Sequence, residues 1–209
     1  CIQNGTFTYN FLSEQLKNTG IEVIDGLTWI DAVRKKSGSV MQFGNEAKII
    51  IGKNGISVNL QHDLIDIANT VNSKNIQFEY TEDINKAVWE KLIMVASIGS
   101  IMCYANMDAR STVNQKLYLE ILEGMINEMT NASISLGVNI DENYAKNTLE
   151  YILNRSDNLH SSLKEDFDQK RPLEVDEILG EAYRTGVQNN VDMTNCKIVY
   201  EKLIKFAKV

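Results

Sequence analysis

The stretch that decides the fold is residues 81–105, TEDINKAVWEKLIMVASIGSIMCYA. Its first three residues, Thr-Glu-Asp, supply an N-cap oxygen and early negative charge, which favour the start of a helix. The apolar run from Leu92 to Cys103 is shorter than a bilayer crossing and is interrupted by two serines and a glycine. The sequence therefore predicts one long helix, to about residue 105, that is buried in the protein and does not span a membrane.

Strand signals stop after this point of the chain. Turn residues divide the rest into predicted helices, which cover 112–136, 141–154, 161–169, 173–189 and 194–208. Pro172, the only proline, separates two of these helices near a first helical turn, where proline is well tolerated. Residues 82–209 are therefore predicted to form an all-α domain.

Residues 1–81 alternate strand and helix signals instead, as in an α/β layer. An amphipathic helix is predicted over 57–72. Asp25-Gly26 is interpreted as the turn that ends the first strand, and Gly44-Asn45 as the turn of a hairpin. The predicted fold class is thus α/β followed by all-α, with strands over 21–24, 27–30, 38–43, 47–51 and 76–80.

Composition limits the classes of partner and site. A net charge of -7 and a pI near 5.0 give no basic surface for phosphates, so nucleic acid is not expected as a partner. Three widely spaced cysteines without a C-x-x-C pair, and only two histidines, do not suggest a metal site. These features fit a protein without disulfide bonds in a reducing cytoplasm.

Lys91 is the first candidate for chemistry, because it stands at the edge of the apolar run in the long helix. One interpretation is a solvated charge whose alkyl stem packs on its neighbours. The other is an ammonium directed into a cleft, where partial burial lowers its pKa and makes it a better proton donor. The spacing of the residues leaves both open.

Ser162 and Glu174 are the second candidates, in two polar segments near the end of the chain. These segments could be a charged connection between helices, capped by serine and carboxylates. Alternatively, Ser162 donates to a substrate carboxylate while Glu174, near a helix start, stays ionised and accepts from a substrate hydroxyl.

The order of these segments resembles the ketopantoate reductase family over nearly the whole chain. The resemblance lies in Gln3-Asn4-Gly5, Trp89-x-Lys91-Leu92, Ser161-Ser162-Leu163, and Arg171-Pro172-Leu173-Glu174-Val175-Asp176 followed by Gly180. It implies the later part of a Rossmann domain for NADP(H) over 1–81, and over 82–209 a helical domain of the 6-phosphogluconate dehydrogenase C-terminal-like type. The implied reaction is the NADPH-dependent reduction of a 2-oxo acid, ketopantoate or a related compound, as in pantothenate biosynthesis.

The resemblance also implies a role for each matching residue. Lys91 corresponds to the general acid, Glu174 to the glutamate that binds the substrate hydroxyl, and Ser162 to the serine that contacts the substrate carboxylate. Asn4 corresponds to an asparagine at the cleft for cofactor and substrate.

Two departures from the family pattern stand out. The sequence contains no G-x-G-x-x-G turn for the cofactor diphosphate, and we expect an upstream segment of a longer protein to supply it. Val95 and Gly99 stand one and two turns after Lys91, where the family commonly has asparagines that face the substrate. Loss of both polar contacts predicts a different 2-oxo acid or a weakened activity.

A non-catalytic assembly or binding module is the alternative function. The predicted helix over 112–136 has more apolar positions than a narrow stripe requires. These side chains could form the core of one chain or a subunit interface, as in a homodimer.

Overall fold

The computed structural model describes residues 1–207, apart from the side chains at positions 31, 33–35 and 44–46. The chain divides into two compact units, Cys1–Val88 and Trp89–Val209. Each unit is built around its own cluster of buried apolar side chains.

The first unit combines a mixed three-stranded sheet with two helices. In chain order its elements are α1 (Phe7–Leu16), β1 (Asp25–Lys36), β2 (Ser39–Gly52), α2 (Val58–Val71) and β3 (Gln77–Thr81). The sheet order is β1-β2-β3, in which β1 and β2 are antiparallel and β2 and β3 are parallel. The β2-α2-β3 crossover confirms the predicted α/β character, with the helix and last strand where the sequence places them.

The strand predicted over 21–24 is wrong, and so is the turn at Asp25-Gly26. Both residues belong to β1, which pairs Gly26 with Ile51 on one side and forms a bridge to Ile2 on the other. A Cβ at Gly26 would lie 3.0 Å from the Ile50 carbonyl oxygen. This glycine therefore allows three backbone segments to approach closely, and it does not end a strand.

The hairpin predicted around Gly44-Asn45 is also wrong, because both residues lie inside the continuous strand β2. Here the pairing with β1 jumps from Trp29↔Lys48 to Asp31↔Phe43, which is a bulge. The true hairpin turn lies between Lys36 and Ser39, where Gly38 adopts φ +73°.

Helices form the second unit, and its first helix begins in the first unit. These are α3 (Ile84–Ala105), α4 (Ala109–Val113), α5 (Lys116–Ser135), α6 (Tyr144–Arg155), α7 (Ser162–Asp168), α8 (Glu181–Gln188) and α9 (Thr194–Leu203). A π-helical turn, Asp176–Gly180, leads directly into α8. The predicted all-α part is thus confirmed for the described residues; Lys208, in the last predicted helix, lies outside them.

Two of the predicted helices differ in extent from the observed ones. The helix predicted over 112–136 is two helices, because the Asp108 side chain caps a separate short helix and Gln115 is extended. The helix predicted over 173–189 starts later, because the Leu173 amide donates to the Phe206 carbonyl at 2.8 Å instead of joining a helix.

The α3 helix is buried from Leu92 to Ile93 and from Ala96 to Cys103, as the sequence predicts. Among the described residues it is the one helix long and apolar enough to cross a bilayer, yet 67% of its most apolar window is buried inside the protein. Leu92, Ile93, Ala96 and Ile101 have no exposed surface. This burial is that of a core helix.

Most apolar side chains of α5 also pack inside the unit. Ile121, Leu122, Met125, Ile126 and Met129 are all buried in the main core. Of the positions that raised the alternative of a subunit interface, Leu117 remains exposed. Core packing therefore accounts for the apolar excess of this helix.

Candidate functional site

Lys91 lies in the second turn of α3, with only 9% of its surface exposed. Trp89, Leu92 and Ile93 beside it in the chain are buried. Burial lowers the pKa of Lys91 from its usual 10.5 to about 8. Lys91 is therefore not a solvated surface charge, and its ammonium can release a proton close to neutral pH.

Local contacts fix the turn of α3 that carries Lys91. The Asp83 carboxylate accepts a hydrogen bond from the Lys86 amide at 3.1 Å and so caps the start of the helix. From α6, the Tyr144 hydroxyl donates to the Glu90 carbonyl oxygen. Burial of this hydroxyl raises the pKa of Tyr144 to about 12, so it stays protonated as a donor. No sequence signal indicates this contact, which joins residues 54 positions apart.

Ser162 is the first residue of α7, and its side chain is exposed. The preceding residue, Ser161, is the N-cap, and its hydroxyl accepts from the Lys164 amide at 3.4 Å. A Cβ at Gly99 would lie 2.7 Å from the Ser161 oxygen. Gly99 thus permits the start of α7 to lie directly on α3.

The contact at Gly99 shows where along α3 the start of α7, which carries Ser162, lies relative to Lys91. Gly99 stands eight positions after Lys91, or about 12 Å along a helix axis. Gly99 is therefore a packing position, covered by Ser161, which explains why no polar side chain stands there.

Glu174 lies on the exposed side of an extended segment that precedes the π-helical turn. Leu173 and Val175 on either side of it have no exposed surface, whereas Glu174 is exposed. Its backbone carbonyl accepts from the Ile178 amide at 3.2 Å. The two buried neighbours anchor the backbone and keep the Glu174 side chain on the surface.

Asp176, the second acid of the Glu-x-Asp pair, forms hydrogen bonds within the fold. Arg184 donates to its carboxylate at 2.6 Å, and the Tyr200 hydroxyl donates to the same oxygen. Burial alone would raise the pKa of Asp176, but these two hydrogen bonds bring it below its usual value. The carboxylate of Asp176 therefore holds the π-helical turn to α8 and α9.

Arg171 of the same motif is also used within the fold. Its guanidinium donates to Asp166 and to Gln169, each at 2.6 Å. The motif near the end of the chain therefore combines one exposed acid, Glu174, with residues that hold the segment in place.

Asn4 belongs to the first unit, where it is half-buried at a bend just before α1. Gly5 follows with φ +79°, which favours glycine at this bend. No two glycines of the 209-residue sequence are two positions apart, so these residues hold no Gly-x-Gly turn for a dinucleotide diphosphate. The residues of this chain therefore do not fit a complete NADP(H) site.

A cavity of about 690 Å³ opens at the far end of α3 from Lys91. Asn106 and Lys170, which follow the ends of α3 and α7 with φ of 53° and 54°, line it. None of Lys91, Ser162 and Glu174 contributes to its wall. Asn106 is 15 residues after Lys91, about 22 Å along a helix, so this cavity is separate from the lysine.

A partial α/β sheet with one β-α-β crossover, followed by an α-helical C-terminal part, is the class of fold that these elements define. Residues 83–207 match the sequence model of the family described as ketopantoate reductase PanE/ApbA C terminal. The chain therefore belongs to the ketopantoate reductase family.

Comparison with individual proteins supports the same grouping. The chain is 22% identical over 205 residues to a 2-dehydropantoate 2-reductase of Nostoc sp.. The aligned residues cover 97% of this chain and 63% of that relative. The chain thus spans less than two thirds of the length of this curated relative.

Solved structures show the same fold. The crystal structure of 2-dehydropantoate 2-reductase from Methylococcus capsulatus superposes with a TM-score of 0.85 at 20% identity, over 100% of this chain and 71% of that one. A D-mandelate dehydrogenase in complex with NADH superposes with a TM-score of 0.76 at 14% identity, over 98% and 74% of the two chains.

Proposed function

We propose that this chain is the substrate-binding and proton-donating part of an NADPH-dependent reductase that converts a 2-oxo acid into a 2-hydroxy acid. Ketopantoate, reduced to pantoate for pantothenate biosynthesis, or a related 2-oxo acid is the substrate. The observation that carries the proposal is the burial of Lys91 in α3, beside the buried apolar side chains of Trp89, Leu92 and Ile93.

Lys91 acts as the general acid in this proposal. Reduction of a carbonyl group places negative charge on its oxygen, and a positioned ammonium stabilises that charge and protonates the oxygen. A pKa of about 8 suits the role, because a donor is most effective when its pKa lies near the working pH.

Glu174 and Ser162 bind the substrate in the proposed site. Both side chains are exposed in the helical unit, and both occupy segments fixed by buried neighbours, Leu163 for Ser162 and Leu173 for Glu174. Ser162 donates to the substrate carboxylate, and the Glu174 carboxylate accepts from a hydroxyl group.

NADP(H) would supply the hydride when bound, with Asn4 as a contact of the cofactor from the first unit. The residues of this chain do not complete that site, so the choice between NADPH and NADH belongs to the whole protein. We further propose that the cofactor-binding domain ends near residue 81, and that the protein acts in the cytoplasm, as a homodimer if it assembles.

Kinetics with the full-length protein encoded by its gene test the proposal. NADPH or NADH consumption is measured with a panel of 2-oxo acids, for the wild type and for Lys91→Met and Lys91→Arg. Wild-type turnover is expected to fall as the pH rises through about 8, where Lys91 loses its proton. Lys91→Met is expected to lose at least about a hundredfold in kcat, the usual contribution of a general acid.

A second readout separates chemistry from binding. Lys91→Met should still show thermal stabilisation by the 2-oxo acid, because Glu174 and Ser162 remain. Full turnover by Lys91→Met would overturn the acid role, and no reduction of any 2-oxo acid by the wild type would overturn the proposed function.

A further inference from the structure

In the part of α3 that follows Lys91, up to Cys103, the accessible surface is formed by two apolar side chains. Between Lys91 and Cys103, all of which is described, only Met94 and Val95 are partly exposed; every other residue is buried. They stand three and four positions after Lys91, so they share its side of the helix one turn further on. On the other side of Lys91, Ala87 and Glu90 are partly exposed. A molecule that reaches the Lys91 ammonium along α3 from the side of α7 therefore contacts Met94 and Val95 first.

Neither of these side chains can satisfy a hydroxyl group. Valine has no polar atom, and the methionine sulfur is only a weak acceptor. The next hydroxyls on α3, Ser97 and Ser100, have no exposed surface. The Ser97 hydroxyl already donates to the Ile93 carbonyl oxygen at 2.6 Å.

The surface is closed two turns after Lys91. Ser161 covers Gly99, and the Leu163 side chain comes within 3.5 Å of a Cβ placed there. Leu163 is itself buried. The patch between Lys91 and α7 that is available to a substrate is therefore short, and the part of it that α3 forms is apolar.

We infer that Met94 and Val95 bind the side-chain end of the substrate, and that the site selects 2-oxo acids whose side chain is branched and apolar over those that carry a hydroxyl group there. This inference rests on the proposed function, because it takes the substrate carbonyl to lie at Lys91. A hydroxyl group placed against Val95 loses its water without gaining a partner, which disfavours it.

A matched pair of substrates tests this selectivity in the full-length protein. Ketopantoate is compared with its deoxy analogue, in which a methyl group replaces the hydroxymethyl group, by kcat/KM under identical conditions. The analogue is expected to be preferred about tenfold, as one unpaired hydroxyl would cause. Equal values, or a preference for ketopantoate, would overturn the inference.

Substitution of Val95 tests whether this residue is the cause. Val95→Asn supplies an amide at the same place and is expected to move the preference about tenfold toward ketopantoate. Val95→Thr, which keeps the shape and adds one hydroxyl, should move it the same way by less. Val187→Asn is the matched control: Val187 is 51% exposed on α8, and its replacement should leave the preference unchanged.

The outcomes separate this inference from the proposed function. If several 2-oxo acids are reduced but neither folded Val95 variant changes the preference, the inference is wrong and the reductase stands. If no 2-oxo acid is reduced by the wild type, the proposed function fails and the inference fails with it. Thermal melting of each variant shows which of them are folded.

Discussion

The hydroxyl of Ser161 lies directly over Gly99, so that a Cβ at residue 99 would come within 2.7 Å of the serine oxygen. That oxygen also caps α7 by accepting from the Lys164 amide. One close contact thus joins the lysine helix to the segment that carries Ser162. The contact is possible only because residue 99 is a glycine and has no side chain.

Gly99→Ala is expected to push the Ser161 hydroxyl out of its capping position. A lost serine cap costs about 1 kcal/mol, and displacement of the neighbouring Ser162 should raise KM for the 2-oxo acid more than it lowers kcat. Denaturant unfolding measures the first effect and steady-state kinetics the second.

Ser161→Ala provides the control for this prediction. It removes the oxygen that a Cβ at residue 99 would meet, so Gly99→Ala should be neutral or stabilising in that background. A coupling free energy of about 1 kcal/mol between the two changes is expected from the double-mutant cycle. Additive effects would show that the two residues do not restrain each other.

The sequence predicts the parts of this fold that depend on local periodicity, and it fails where distant segments meet. The long helix through Leu92 and Cys103 is evident because its apolar run is long. By contrast, Gly44-Asn45 has the composition of a hairpin turn, but pairing with β1 absorbs it as a bulge. Helix α1 is missing from the sequence-based prediction, and none of its residues is buried, so it lacks the buried apolar face that α2 presents.

The candidate site divides in the same way. Lys91, Ser162 and Glu174 can be chosen by their resemblance to family motifs, and their binding roles remain predictions. The covering of Gly99 by Ser161 depends on residues 62 positions apart, and the bond from Tyr144 to Glu90 on residues 54 apart. No local sequence pattern encodes such contacts. Only the folded structure shows that residue 99 has no polar side chain because Ser161 packs against it.

Tyr144→Phe is expected to loosen the turn that carries Lys91. Loss of the hydroxyl leaves the Glu90 carbonyl without its bond from α6, at a cost of about 1 kcal/mol. Since more water then reaches Lys91, the alkaline limb of the pH–rate profile should move upward.

Tyr151→Phe is the matched control, because Tyr151 is exposed on the same helix α6. It should leave both the stability and the pH profile unchanged. If Tyr144→Phe lowers stability but leaves the profile where it was, Tyr144 supports the fold without positioning Lys91.

Glu128→Gln is expected to destabilise the helical unit by about 2 kcal/mol, the usual contribution of hydrogen bonds to a charged group. One oxygen of the buried Glu128 carboxylate accepts from the Asn195 backbone and side-chain amides at 2.7 Å, and the other accepts from the Cys196 amide at 2.8 Å. An amide has only one acceptor, so one of these donors would face an NH₂ group.

Glu123→Gln, on the exposed side of the same helix α5, is the control and should not change the free energy of unfolding. Urea unfolding at one pH compares the two variants. Equal stabilities would mean that the Glu128 carboxylate does not hold the start of α9.

Lys91→Met should make the protein more stable while it removes the proposed acid. The pKa of Lys91 is about 8 in the folded chain against the usual 10.5, so below pH 8 both states are protonated and the folded state bears the full cost of a buried charge. At 1.36 kcal/mol per pKa unit this cost is about 3 kcal/mol, an upper estimate of the gain in the variant at pH 7. Between pH 8 and 10.5 the unfolded state binds more protons, so wild-type stability should rise with pH relative to the variant until the gap closes. Unfolding free energies of the two proteins at pH 7, 8, 9 and 10 measure this difference; a gap that stays constant with pH would contradict a lowered pKa at Lys91.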